Sequence, residues 1–289
     1  MSEFIQSKTI LGTVKRPDTW FGNSYNLNLF RGCSHGCIYC DSRSSCYQIQ
    51  NFDHIQIKGN ALELLHKELR SKKKRGTISF GSMNDCYMPI EAKQQLTRKA
   101  LEIVALHKFP VHIITKGTLV TRDIDLLKEI SKVYAAVSIT ITTSDDDLAK
   151  RIEPHAPSSS ERFNALKQLR EAGIYAGITL MPILPFINDS VENITQLVEM
   201  AANSNAAYII ASMGMTIREG QREYFYAKLD QEFPGLKDKY IATFGDQYGC
   251  GSPNGKKLQK TFQDACKKYN IPTKMQFYQP ETDSQLTLF

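Results

Sequence analysis

Arg31-Gly-Cys-Ser-His-Gly-Cys-Ile-Tyr-Cys40 sets three cysteines at C-x3-C-x2-C spacing, in a loop directly behind a strand-like run over 25–30. Three thiolates in so short a loop can hold three irons of a four-iron four-sulfur (4Fe-4S) cube. Such a cube normally takes four cysteines, so one iron is left open to another ligand. The alternative is a structural zinc on the three cysteines and His35 or another ligand, a common zinc set. Zinc ligands usually come as spaced pairs, however, and a strand-loop-helix setting is not that of a finger. The other cysteines, Cys46, Cys86, Cys250 and Cys266, are scattered. Seven is an odd count, and the start MSEFIQSKTI lacks a basic flank followed by an apolar run. Neither a disulfide framework nor export is therefore expected.

On either side of the loop, strand-like and helix-like patterns alternate. Strands are expected over 25–30, 77–80, 111–115, 136–142, 174–181 and 207–211. Between them apolar residues recur at helical spacing, as in Leu62, Leu65 and Leu69, then Leu96, Ala100, Ile103 and Val104, then Ile124, Leu127 and Ile130, then Phe163, Leu166 and Leu169. Asn60-Ala-Leu-Glu63 opens the first of these helices with an N-cap residue and a glutamate three positions on. The basic run Lys72 to Arg75 follows it, where cations favour the negative end of the helix dipole. Strict alternation implies an α/β fold, a parallel sheet with helices outside, because parallel strands need crossover connections. From Val137 to Thr142 the side chains alternate apolar and hydroxyl. An open parallel sheet buries both faces, so this strand suggests a curved or partly closed barrel around a polar ligand. A half-exposed edge strand would give the same alternation.

The chain has 289 residues, enough for one large or two ordinary domains. It carries a net charge of +6, which permits a polyanionic partner without demanding one. No segment approaches a membrane span, and a cytoplasmic protein without membrane contact is expected. The alternation fades after about residue 215, so we expect a core over 1–215, a C-terminal extension over 216–275 packed on it and a mobile tail over 276–289. A helix from about 258 to 269 closes the fold.

Phe30-Arg-Gly-Cys-Ser-His-Gly-Cys-Ile-Tyr-Cys-Asp41, Gly81-Ser-Met-Asn-Asp85, Ile113-Ile-Thr-Lys116, Ile152-Glu-Pro154 and Met181-Pro-Ile-Leu-Pro185 together resemble the radical S-adenosylmethionine (radical SAM) superfamily. The likeness is to its spore photoproduct lyase-like branch, whose members carry a "DNA repair photolyase" label, and it runs in order from about 20 to 255. The resemblance implies the partial (β/α)6 TIM-type barrel of radical SAM enzymes. It further implies a 4Fe-4S cluster on Cys33, Cys37 and Cys40, with S-adenosylmethionine (SAM) on the open iron. Reductive cleavage of SAM would then yield a 5′-deoxyadenosyl radical, with an electron donor such as flavodoxin or ferredoxin. By the same likeness Tyr39 lies beside the adenine, and Gly81, Ser82 and Asn84 receive the methionyl amine. Lys116 pairs with the methionyl carboxylate, Ser138 and Thr140 reach the carboxylate or ribose, and Glu153 and Arg162 form a supporting ion pair. Spore photoproduct lyase has a hydrogen-donor cysteine where Ser82 stands here, so Cys86 and Cys250 are the candidate hydrogen donors and the thymine-dimer reaction is not carried over.

The expected function is a radical SAM enzyme, lyase-like or of other radical chemistry, acting on DNA or another nucleic acid in repair. A protein or small-molecule substrate, or a zinc-stabilised adaptor, are the rivals. The end of the chain, Gln285-Leu-Thr-Leu-Phe289, resembles the bacterial sliding-clamp-binding motif. Two leucines and a phenylalanine gain little by staying in water, so they need a pocket, either on the chain's own surface, with Leu288 and Phe289 folded back, or in an external groove; the resemblance makes the clamp the expected partner.

Overall fold

The computed structural model describes residues 3–16 and 19–280. The chain opens with β1 (Glu3–Ile5), β2 (Leu11–Thr13), β3 (Tyr25–Leu27), β4 (Phe30–Arg31) and β5 (Gln56–Lys58), followed by α1 (Ala61–Ser71) and β6 (Ile78–Phe80). Helices α2 (Glu91–Gln94) and α3 (Leu96–Leu106) lead to β7 (Val111–Thr115), and α4 (Ile124–Ser131) leads to β8 (Ala135–Thr140). After α5 (Asp146–Ile152) and α6 (Ser159–Glu171) comes β9 (Tyr175–Leu180), and after α7 (Val191–Asn203) comes β10 (Ile209–Ala211). The remainder is β11 (Gly214–Thr216), α8 (Gln221–Glu232), α9 (Leu236–Phe244), β12 (Gly249–Gly251) and α10 (Gly255–Lys268).

Strands β3, β6, β7, β8, β9 and β10 lie side by side in chain order and are all parallel, with β2 antiparallel on β3 at one edge. The fold is α/β, and each strand core forms for the reason read from the sequence. Ile78, Phe80, Val111, Ile113, Val137, Ile139, Ile178 and Leu180 turn one apolar face to the helices, where Leu65, Leu101, Val104, Leu127, Leu166 and Leu197 close over it. Helix α10 joins the same core through Leu258, Phe262 and Cys266. A second core, of Cys37, Ile38, Tyr39, Ile152, Met215, Phe225, Leu229, Tyr240 and Cys250, clamps the cysteine loop beneath α8 and α9.

Several expectations are corrected. The run 25–30 is not one strand: β3 joins the main sheet, whereas β4 turns away to pair with β5, which pairs in turn with β1. Asn60 precedes α1 but does not cap it with its side chain, because its amide is committed to both the N–H and the carbonyl of Ser7. The region after 215, where the alternation fades, holds helices α8 and α9 ahead of the expected closing helix, here α10, together with the antiparallel pair β11–β12. At Gln276, where the tail is expected to begin, the N–H donates to Tyr175 Oη at 2.8 Å and the carbonyl accepts from Tyr134 at 2.6 Å. Residues Gln285 to Phe289 lie outside the described residues. Among the described residues no helix is long and apolar enough to cross a membrane.

Candidate functional site

The carboxyl ends of the parallel strands open into a cavity of about 550 Å³, where ligands of parallel α/β sheets characteristically bind. Cys33, Cys37 and Cys40 line one wall, and all three are free thiols. The loop that carries them is tied down from several directions. Cys33 N–H donates to Phe52 O at 3.0 Å and Ile38 N–H to Ile152 O at 3.0 Å. Asn84 Nδ2 donates to Phe30 O at 2.7 Å, and the buried Gln221 donates to Tyr39 O at 2.8 Å and Thr216 O at 2.9 Å. Burial and the neighbouring Asp85 push the Cys33 thiol up to about 12, and burial raises Cys37 and Cys40 as well. A metal bound here would take the thiolate form and displace those protons.

Gly81 sits at the end of β6 with φ +92°, and a Cβ there would stand 2.0 Å from the carbonyl oxygen of Ile114. The glycine is dictated by the approach of β7, and it leaves the 81–85 turn lying against the cavity. Ser82 is exposed at the rim, with its hydroxyl 3.4 Å from Asn28 Oδ1. Asn84 lines the cavity but spends its amide on the cysteine loop. Lys116, Tyr39 and Thr140 line it too, Thr140 sharing a 2.9 Å hydroxyl hydrogen bond with Thr179. Behind Lys116, Glu153 accepts from the Tyr39 hydroxyl, pairs with Arg162 at 2.5 Å and stands 4.0 Å from Lys116 Nζ. Burial works against the charge of Lys116, yet Cys37 and Glu153 keep its ammonium above its ordinary range.

Three expected residues fall elsewhere. Ser138 is absent from the cavity wall, being fully buried between His112 Nε2 and the Tyr208 hydroxyl, each at 2.8 Å. Cys86 belongs to the main core, and Cys250 to the second core with Phe225 and Tyr240. Neither thiol lines the cavity, and burial raises both, Cys250 to about 11.

Two elements of the site escaped the sequence reading. His35, weighed there only as a metal ligand, places Nε2 3.1 Å from Asp85 Oδ2, and both residues are buried. Burial opposes ionisation of Asp85, but His35, the Lys116 N–H and the Thr115 hydroxyl hold its carboxyl well below the usual range. This pair locks the middle of the cysteine loop to the 81–85 turn. Its signal was a histidine between the first two cysteines and an aspartate ending Gly-Ser-Met-Asn-Asp. The second is the cavity floor, where Asn26 and Ser79 stand opposite one another across β3 and β6. Ser79 Oγ and the neighbouring Asn23 Oδ1 line the cavity, buried and without a hydrogen-bond partner among the described residues.

A family model of the radical SAM superfamily matches residues 27–198. The chain belongs to the radical SAM superfamily. An uncharacterized protein of Mycobacterium tuberculosis is 30% identical over 224 residues, 75% of this chain and 66% of that protein, so the match spans slightly under two thirds of the relative. Radical SAM Nalpha-GlyT isomerase of Pseudomonas phage M6 is 23% identical over 202 residues, 69% of this chain and 42% of that protein. Among solved structures, spore photoproduct lyase complexed with dinucleoside spore photoproduct superposes with a TM-score of 0.69 at 14% identity, covering 94% of this chain and 80% of that one. At such identity the likeness bears on the fold, which is that of radical SAM enzymes. A variant of the same lyase holds AdoMet and the photoproduct together.

The residues present fit the 4Fe-4S cluster and SAM that a radical SAM domain implies. Three free cysteines face one cavity, and unpartnered polar atoms on its floor call for a polar occupant. Among the described residues no three His, Cys, Asp or Glu side chains converge on a single point as one metal ion would require.

Proposed function

We propose that this radical SAM protein generates a 5′-deoxyadenosyl radical and directs it at a nucleic acid. The observation that carries the reading is that all three cysteines and the strand-end residues Gly81, Asn84, Lys116 and Thr140 line one cavity. Cys33, Cys37 and Cys40 would hold the cluster, and the 81–84 turn, Lys116 and Thr140 would hold SAM, with Tyr39 beside its adenine. When bound, cluster and SAM together supply a primary carbon radical that removes hydrogen from a substrate. The chain's part is placement. Glu153 and Arg162 fix Tyr39 and Lys116, and the His35–Asp85 pair fixes the loop against the turn that would hold SAM. Thr140 and Thr179 present hydroxyls to the interior. Among the described residues the only cysteines on the cavity wall are those three, so the thiol relay read from Cys86 and Cys250 is not part of this proposal.

The nucleic-acid class is supported by the fold shared with a lyase complexed with a dinucleoside photoproduct, and by the excess of positive charge. Trp20 and Phe21 at the cavity rim offer flat apolar surface suited to a base. Cytoplasmic location and docking of Gln285 to Phe289 on the sliding clamp belong to the same reading. The docking is checked by titrating a tail peptide against the clamp, with Leu288 and Phe289 replaced by Ala as the control.

The test of the cofactor assignment is anaerobic reconstitution with iron and sulfide. A brown protein with broad visible absorption is expected from the wild type and from Cys46→Ala, Cys86→Ala, Cys250→Ala and Cys266→Ala, and none from Cys33→Ala, Cys37→Ala or Cys40→Ala. A colourless protein that takes up one zinc would replace this reading with that of an adaptor.

A further inference from the structure

We infer that Asn23 and Ser79 form a recognition site for the hydrogen-bonding edge of an unpaired nucleobase, an inference that rests on the nucleic-acid reading above and deepens it. Both residues line the cofactor cavity and are buried, at 6% and 0% exposure. Asn23 Oδ1 and Ser79 Oγ are shut off from solvent and have no hydrogen-bond partner among the described residues. A buried polar atom left unpaired is costly, so a cavity wall that keeps two of them is built for an occupant that pairs them.

Their placement separates that occupant from SAM. Gly81, Asn84, Lys116 and Thr140 stand at or beyond the carboxyl ends of β6, β7 and β8. Ser79 lies two residues before Gly81, about 7 Å deeper along an extended chain, and is in register with Asn26 on β3. Asn23 comes from the segment ahead of β3, which is tied to the start of β6 where Ser24 N–H donates to Thr77 O at 2.9 Å. Gly22, at φ +62°, fixes the other side, since a Cβ there would stand 2.6 Å from the ring of Phe277. Asn23 is thus held between two anchored neighbours before anything binds, which lowers the ordering cost of recognition.

The chemistry of this part of the wall selects the occupant. The charged side chains that line the cavity, Asp41, Asp85 and Lys116, follow Cys40, β6 and β7. The segment that carries Asn23 instead contributes Trp20 and Phe21, and Asn26 adds an amide; none of these is charged. An ionised group placed among them would lose its hydration without gaining a counter-ion, which excludes a phosphate or a carboxylate. A planar uncharged ring suits them. Its faces meet aromatic surface, and its edge supplies an N–H to Asn23 Oδ1 and an acceptor to the Ser79 hydroxyl. Each of the four nucleobases carries such a donor beside an acceptor on its Watson–Crick edge, and that edge is free only in a single strand or in a base extruded from a duplex. The base enters and the sugar-phosphate chain stays outside.

The test is calorimetric titration of the anaerobically reconstituted, unreduced full chain, saturated with SAM. The probes are single-stranded homopentanucleotides of dA, dC, dG and dT, and an all-abasic pentamer of the same charge. At least one base-bearing pentamer should bind about 10-fold or more tightly than the abasic one. Ser79→Ala and Asn23→Leu should each cut that advantage by about 5-fold or more and leave SAM affinity within about 2-fold of wild type. Ser79→Ala should also keep a urea midpoint equal to or above that of wild type, because it removes an unpaired buried hydroxyl, whereas a structural role would lower it. Ser131→Ala, which deletes a hydroxyl bonded to Leu127 O on α4, is the control and should bind as wild type does. If Asn23→Leu is poorly folded by circular dichroism, Ser79→Ala alone decides. Equal affinity for base-bearing and abasic pentamers, an equal loss of SAM affinity in the two variants, or unchanged pentamer binding by Ser79→Ala would overturn the site and leave the nucleic-acid reading standing. A wild type that binds no pentamer of either kind would remove that reading, and the site with it.

Discussion

Glu153→Gln is the most informative single substitution in the site. Glu153 and Arg162 are each 1% exposed and 2.5 Å apart, Lys116 Nζ is 4.0 Å away, and the Tyr39 hydroxyl donates to the same carboxylate. Removing the negative charge leaves two cations around a neutral amide in a buried site. Breaking a buried pair in this way costs about 3 to 5 kcal/mol. Two features pull the value to the lower end. Arg162 keeps its hydrogen bonds to Pro157 O at 2.8 Å and Thr140 O at 3.0 Å, and the isosteric amide still accepts from Tyr39. We therefore expect a loss of about 3 kcal/mol, read as a lower urea midpoint at unchanged slope for protein handled without oxygen. Glu153→Leu/Arg162→Met should recover a large part of it, because an apolar pair carries no desolvation penalty. The pH dependence supplies a second readout. Burial would raise the carboxyl of Glu153, but Arg162 and Lys116 hold it below its usual 4.5. Its contribution is therefore complete above that value and fades as pH falls through the lower native one, so the gap between wild type and Glu153→Gln should be flat from pH 8 to about 5.5 and narrow below about 4.5. A loss under about 1 kcal/mol, or a gap that changes near neutrality, would refute the reasoning.

Other outcomes follow from the same geometry. His112 is buried and neutral, its pKa lowered from 6.5 to about 3 by desolvation; below pH 6.5 the unfolded chain binds a proton the native state refuses, so stability should fall by up to about 1.4 kcal/mol per pH unit, a slope that His112→Gln should flatten. Gly81→Ala forces a side chain onto the Ile114 carbonyl at positive φ, and should destabilise by about 2 kcal/mol or more and abolish calorimetric SAM binding, whereas a fully stable, SAM-binding variant would show that the turn is not rigid. Lys116→Ala should weaken SAM binding by about 1.5 to 3 kcal/mol, the worth of a hydrogen bond to a charged group, and unchanged affinity would remove Lys116 from the site.

What the sequence made legible was what local pattern encodes. β7 and β8 were readable because an apolar run or an apolar–hydroxyl alternation survives in a single strand, and the cysteine loop because its spacing is chemistry in itself. β1, β2 and β5 have three residues each, too few for a period to show; β1 pairs with β5 more than fifty residues away, β2 folds back on β3, and β5 meets β4 only because the chain turns away at Phe30. Ser138 and Thr140 look alike in the sequence. Only the depth of the sheet separates a hydroxyl tied to His112 and Tyr208 from one that faces the cavity. Likewise Cys86 and Cys250 are thiols near the right motifs whose side chains turn into the two cores. Helix α8 was missed because it buries Gln221 beside Phe225 and Leu229, so the face that holds the cysteine loop is not purely apolar.

The central claim is tested most directly by incubating the reconstituted, dithionite-reduced protein with SAM under anaerobic conditions and measuring 5′-deoxyadenosine by chromatography, with and without ultraviolet-damaged DNA. The account predicts 5′-deoxyadenosine from the wild type, more of it when the nucleic acid is present, and none from Cys37→Ala. A reconstituted protein that holds its cluster and binds SAM yet forms no 5′-deoxyadenosine under either condition would contradict it.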